Sequence, residues 1–227
     1  MFIGHYAVAF AAKKAAPKVS LGTLFLSVQF LDLLWPILLL LGVEHFRIDP
    51  GNTPFTPLDF YDYPVSHSLL MVLLWSLGFG VLYYILRRYP RGAWVVALGV
   101  FSHWLLDFIT HAPDLPISPG LETKVGLGLW NSVPGTIVVE GGLFVAGVWL
   151  YLRSTAAKDR TGRYAFWALV GFFLLVWIIN MVSPPPPNEQ AVAYSGLLLW
   201  LLVPWGYWID RHRHTTMSSD SPSQLAP

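Results

Sequence analysis

The chain is 227 residues long, 55% hydrophobic and only 12% charged, with a mean hydropathy of +0.53, far from the roughly 25% charged residues of soluble domains. Most soluble enzymes are thereby excluded, and a net charge of +1 offers no basic field to hold nucleic acid, so no nucleic-acid partner is expected. The absence of cysteine removes disulfides, thiolate metal sites and cysteine nucleophiles, leaving His, Asp, Glu and Asn to hold any metal.

Apolar runs near 20 residues, each able to cross about 30 Å of hydrocarbon, predict an all-α fold: a polytopic membrane helix bundle. The first apolar segment, 2–12, is too short to cross. Lys13, Lys14 and Lys18 follow it, the reverse of signal-peptide order, so it reads as a re-entrant or half-membrane helix. Six candidate spans come next, at 20–43, 68–86, 93–112, 133–152, 164–182 and 193–209. The loop 44–66 is rich in Pro, Asp and aromatics, more like an ordered lid than a linker, and 113–132 is of similar length. Pro184 to Pro187 make a stiff connection. Residues 1–214 are expected to form a single membrane domain and 215–227 a disordered polar tail. No internal repeat is visible.

With six crossings, all of the 14 basic residues except Arg47 and Lys124 fall on one side. By the positive-inside rule that side is cytoplasmic, so the amino-terminal Lys cluster and the carboxy terminus are expected there, in an inner or plasma membrane. Arg211, His212, Arg213 and His214 read as an anchor to anionic headgroups on that face.

Ionisable groups inside spans cost at least about 2.5 kcal/mol each and therefore point to function. Asp32 lies in the first span, His103 and Asp107 in the third with His111 at its outer end, Glu140 in the fourth, His5 in the short first segment and His67 at the outward start of the second. At a rise of about 1.5 Å per residue, Asp32, Asp107 and Glu140 lie roughly 18, 22 and 20 Å above the basic face, with His103 near 16 Å and His5 near 12 Å. His67 counts to about 30 Å and must approach from above, through tilt or an inward-dipping loop. His103, Asp107 and His111 recur at i, i+4 and i+8 on one helical face, a face Asp114 would continue if Pro113 did not end the helix. The HxxxD pair offers a nitrogen and an oxygen to one cation, and the whole set suffices for one or two Zn²⁺-like ions. Singly, each residue has a plainer role: a helix-to-helix hydrogen bond for a lone His, cap chemistry for His67 between Ser66 and Ser68, a kink partner for Asp32 before Pro36, a buried acceptor for a Trp or Tyr donor at Glu140.

Four ordered blocks carry a family resemblance: Gly4-His5, Leu31-Asp32-Leu33-Leu34-Trp35-Pro36, Ser66-His67-Ser68-Leu69-Leu70 and Ser102-His103-Trp104-Leu105-Leu106-Asp107. Over its first half the chain resembles the bacterial membrane-bound metal-dependent hydrolases of the LexA-regulated inner-membrane type, whose ligand order is in turn similar to that of zinc-dependent phospholipases C. The resemblance implies metal-dependent hydrolysis at a membrane, with His5, Asp32, His67, His103 and Asp107 as ligands. The chain has Leu33-Leu34-Trp35 after Asp32 where many members show a second acidic residue and a His, and it lacks the later HxxxE pair of the phospholipases, so one or two ions are implied.

The expected function is a metal-dependent hydrolase taking a lipid or other amphiphile from the outer side of the membrane. His103, Asp107 and His67 would hold the metal, Asp32, His5 and His111 would complete the site, and Glu140 or Asp114 would serve as general base or acid. Two alternatives stay open: a proton- or ion-coupled transporter using Asp32, Asp107 and Glu140 as a relay, and a non-catalytic scaffold in which the metal staples helices.

Overall fold

A computed structural model describes residues 1–216, and they form the helical bundle that the composition demands. Its helices are α1 (Ile3–Ala15), α2 (Leu21–Val28), α3 (Phe30–Leu40), α4 (Pro64–His67), α5 (Leu69–Arg87), α6 (Pro90–Thr110), α7 (Val133–Ser154), α8 (Arg160–Val182), α9 (Glu189–Leu197) and α10 (Leu202–Arg211). Helices α5 to α8 are each long and apolar enough to cross a membrane, as is Glu189–Arg211, in which a 3-10 turn at Leu198–Leu201 joins α9 to α10. Helices α2 and α3 make a sixth span only when taken together, because they meet at an angle of 56°.

That break corrects the continuous first span read from hydropathy. It falls at Gln29, not at Pro36, which sits inside α3. The new helix start places Asp32 in the first turn of α3, where the free amides and the helix dipole favour a carboxylate, and Gln29 Nε2 donates to Asp32 Oδ2 at 2.7 Å.

Helix α1 is the axis of the molecule. It packs chiefly on α7 and also touches α2, α6 and α8, so a segment too short to cross is enclosed by longer helices, which bury its His5, Tyr6, Phe10 and Lys13. Because lipid tails are as apolar as Leu, helices associate here through close fit. Gly147 of α7 lets α7 approach α1 so nearly that a Cβ there would stand 2.4 Å from the Ala7 carbonyl oxygen. Below that contact Tyr6, Phe10, Phe25, Phe144, Phe166 and Phe173 interlock, mostly edge to face.

The two ends of the bundle differ in chemistry. At the basic end Lys13 Nζ donates to Asp210 Oδ2 and to the Val19 carbonyl, each at 2.8 Å, and the same Asp210 oxygen accepts from Leu21 N. Strands β5 (Thr155–Ala157) and β6 (Arg213–Thr215) pair there. Arg213 is not the headgroup anchor expected from its sequence neighbours: it is buried, donates to Thr155 and to the Gly162 carbonyl, and stacks its guanidinium over Tyr151 and Phe166. Strand β6 also takes Thr215 out of the expected tail, of which 217–227 lie outside the described residues.

At the other end the loop 44–66 is an ordered hairpin of β1 (His45–Ile48) and β2 (Leu58–Asp62), with the short pair β3 (Leu115–Pro116) and β4 (Lys124–Val125) beside it. Arg47 pairs with Asp59 at 2.7 Å, and Lys124 Nζ donates to the Tyr61 carbonyl at 2.6 Å, tying the two hairpins together. The two basic residues that break the charge count thus have local partners.

Candidate metal centre

Five of the expected residues converge between α1, the start of α3, α4 and α6. Asp107 is the hub. Its Oδ1 lies 3.1 Å from His5 Nε2 and accepts from the Met1 amine at 2.9 Å, while its Oδ2 lies 3.0 Å from His103 Nε2 and 3.8 Å from His67 Nε2. Asp32 Oδ1 stands across the site, 3.5 Å from His67 Nε2 and 3.6 Å from His103 Nε2. Two triads result, His5 with His103 and Asp107, and Asp32 with His67 and His103, each with its ligand atoms within 4.8 Å of one another. His103 belongs to both. Its ring also stacks on His5 with centroids 3.7 Å apart, a close pairing that two neutral imidazoles tolerate and two imidazolium ions would not.

The local sequence explains these placements. Spacing i, i+4 on α6 puts His103 and Asp107 on one face. Pro64 starts the four-residue α4, which carries His67 to 4% exposure and within reach of Asp32 and Asp107. His111 does not extend the α6 face as a helical residue, since α6 ends at Thr110 and His111 has extended backbone, φ −66° and ψ 150°. From that cap its Nε2 still points back toward Asp107 Oδ1, at 3.9 Å.

Outside the ring of donors, a further layer sets which nitrogen faces inward. A carbonyl only accepts, so His103 Nδ1 donates to the Val28 oxygen at 2.7 Å, and in the neutral ring the Nε2 lone pair is aimed at the site. His111 Nδ1 lies 2.9 Å from Asp114 Oδ1, which also accepts from the Tyr63 hydroxyl at 2.8 Å. Burial first, and the Asp114 charge next, push the Tyr63 phenol well above its ordinary pKa and keep it a donor. Such carboxylate or carbonyl contacts behind an imidazole are what metal-ligating histidines ordinarily have.

These residues could hold a metal ion. The buried His103 Nε2 has no hydrogen-bond partner of good geometry despite the carboxylates around it, and the cluster unites imidazole nitrogens with carboxylate oxygens, a donor set that divalent metals accept. Asp32 is 29% exposed where Asp107 is 3%, so the site has an open side at Asp32 and a closed one at Asp107.

The open side faces a cavity of about 500 Å³ with Asp32, His67, Asp107 and His111 in its floor. Its walls are largely apolar, among them Trp35 of α3, Phe60 of the hairpin, Trp130, Val176 of α8, and Val192 and Leu199 beyond it. The second half of the chain, which the family resemblance does not reach, builds one wall of this chamber.

Residues 64–185 match the model of the YdjM inner membrane protein family, more than half of the chain. The chain belongs to the YdjM inner membrane protein family. The segment matched to the YdjM family runs from α4 through α8 and takes in His67, His103, Asp107 and His111, while His5 and Asp32 precede it. Membership agrees with the inner-membrane part of the resemblance seen in the sequence; the YdjM description names neither a metal nor a reaction. No curated protein and no solved structure matches the chain.

Glu140 and Asp114, the expected acid or base groups, are placed differently from each other. Glu140 is fully buried beside the first turn of α1, where Oε1 accepts from Gly4 N at 3.2 Å and Oε2 from Trp177 Nε1 at 3.0 Å. Both of its oxygens hold donors, and it does not line the cavity. Asp114 stands behind His111. Glu44, which no sequence signal singled out, backs His67 through Ser66: Glu44 Oε1 accepts from the amides of Val65 and Ser66, its Oε2 accepts from Ser66 Oγ at 2.6 Å, and Ser66 Oγ lies 2.6 Å from His67 Nδ1. A separation of 22 residues in a loop left no spacing signal for that contact.

Proposed function

We propose that this chain is a metal-dependent membrane hydrolase whose resident ion is Zn²⁺ or a similar divalent metal, one or two per chain, and whose substrate is a lipid or other amphiphile. The observation that carries the reading is the orientation of the imidazoles. His67, His103 and His111 each turn Nε2 toward the same carboxylate while Nδ1 faces an acceptor behind it, and His103 Nε2 is buried without a hydrogen-bond partner, which a purely structural hydrogen-bond cluster would avoid.

When bound, a divalent ion supplies Lewis-acid polarisation of the scissile group and acidifies a water toward neutral pH. His5, His103 and Asp107 would hold it at the closed side and Asp32 with His67 at the open side. The His111–Asp114 pair, whose imidazole lines the same cavity, would exchange protons with the nucleophile and with the leaving group. The apolar walls would receive the tail of an amphiphile and keep bulk water away, with its polar head over the histidines. With the basic end cytoplasmic, the cavity would be reached from the outer side.

The test joins composition to turnover. Detergent-purified protein is analysed for metals and assayed on phosphodiester, ester and amide lipids, beside variants of His103 and Asp107. Stoichiometric zinc together with turnover lost in both variants supports the reading; zinc that raises stability without any turnover would instead leave the metal as a helix staple.

A further inference from the structure

We propose that Glu44 is a positioning residue that selects the metal-binding tautomer of His67, acting through the Ser66 hydroxyl. The inference rests on the metal-dependent reading of the site and deepens it. Glu44 leaves the end of the first span and turns inward to 1% exposure, an expensive place for a carboxylate unless its oxygens are filled. They are filled by Val65 N, Ser66 N and Ser66 Oγ, at 2.7, 2.7 and 2.6 Å.

Proton counting then dictates the rest. An ionised Glu44 can only accept, so the single hydroxyl proton of Ser66 is committed to Glu44 Oε2. Ser66 Oγ is left with lone pairs alone toward His67 Nδ1, 2.6 Å away, so Nδ1 must carry a hydrogen and donate. The neutral ring then has its lone pair on Nε2, the atom that faces Asp32 Oδ1 at 3.5 Å and Asp107 Oδ2 at 3.8 Å. A carboxylate, a hydroxyl and an imidazole thus form a relay that points an unprotonated nitrogen at the cluster, as direct carboxylate contacts do for metal-ligating histidines elsewhere.

Glu44→Gln separates this role from packing. The amide is isosteric and its oxygen can still accept both backbone amides that Oε1 accepts now. Its NH₂ would occupy the Oε2 position and donate to Ser66 Oγ, turning the hydroxyl proton toward His67 Nδ1. The ring would then hold its hydrogen on Nε2 and present a donor where a ligand is needed. Ser66→Ala removes the relay by a different route and keeps the test open if the Gln variant folds poorly.

The experiment uses the detergent-purified full chain. Zinc affinity is measured by chelator competition, and ring carbon and nitrogen shifts of labelled histidine in the metal-free protein report tautomers. Both variants are expected to bind zinc about 10- to 100-fold more weakly, and Glu44→Gln is expected to move one imidazole from the Nδ1–H to the Nε2–H form with the metal-free melting temperature kept. Unchanged affinity and unchanged histidine shifts in Glu44→Gln, with wild type binding zinc, overturn this inference alone. A wild type that takes up no zinc overturns it together with the reading on which it rests.

Discussion

His103→Ala tests the shared corner of the two triads. His103 is fully buried, stacks on His5 and gives its Nδ1 hydrogen to the Val28 carbonyl. Truncation leaves that carbonyl without its partner in an apolar interior, at a cost of about 1–3 kcal/mol, so metal-free His103→Ala is expected to melt roughly 2–12 °C lower, at about 2–4 °C per kcal/mol for a chain of this size. The second loss is separate. A ligand at 100 times its dissociation constant stabilises a native state by about 2.7 kcal/mol, so zinc should raise the wild-type melting temperature by roughly 5–11 °C. Because both triads need His103, the variant should show no such rise, whereas His67→Ala, which breaks one triad, should keep part of it. The assay is thermal unfolding in detergent with added zinc and with chelator, beside metal content per chain. If His103→Ala gains as much from zinc as wild type does, the ion is bound elsewhere and the assignment of the site is refuted.

Glu140→Gln should weaken the bundle without emptying the centre. One of its acceptor oxygens becomes an NH₂ facing Gly4 N or Trp177 Nε1, a buried mismatch of about 1–3 kcal/mol; the melting temperature should fall while zinc per chain stays constant, and loss of zinc would return Glu140 to the site. Gly147→Ala forces a Cβ against the Ala7 backbone at 2.4 Å, and since neither helix can yield cheaply a loss of about 3 kcal/mol is expected, read as reduced folded yield and melting temperature; a wild-type melting curve would show that α1 and α7 are not held this closely. Orientation can be read directly, because a chain without cysteine has no labelling background: Arg91→Cys at the basic end and Glu122→Cys in the opposite loop should react with a membrane-impermeant thiol reagent only in inverted vesicles and only in intact spheroplasts, respectively, and the reverse pattern would invert the proposed topology.

Hydropathy alone determined that the chain is a membrane helix bundle, because a run of about 20 apolar residues has few other places to exist, and it placed α5 to α8 to within a few residues of their ends. The residues drawn together at the centre were legible for a related reason. Charge and imidazole are costly in lipid, so His5, Asp32, His103 and Asp107 stood out against their surroundings, and the i, i+4 pair on α6 was set by helix geometry. What the sequence could not decide was everything governed by close approach between distant segments. The break at Gln29 that gives Asp32 a helix start, the enclosure of α1 through Gly147, the short α4 that seats His67, and the contacts of Glu44 with Ser66 and of Glu140 with Trp177 each join residues that no periodicity relates. Short-range rules assign a residue to a helix or to lipid; only the packed arrangement decides whether a buried carboxylate faces a cluster of imidazoles, a tryptophan or a serine, because that depends on which donor from another helix lies within about 3 Å.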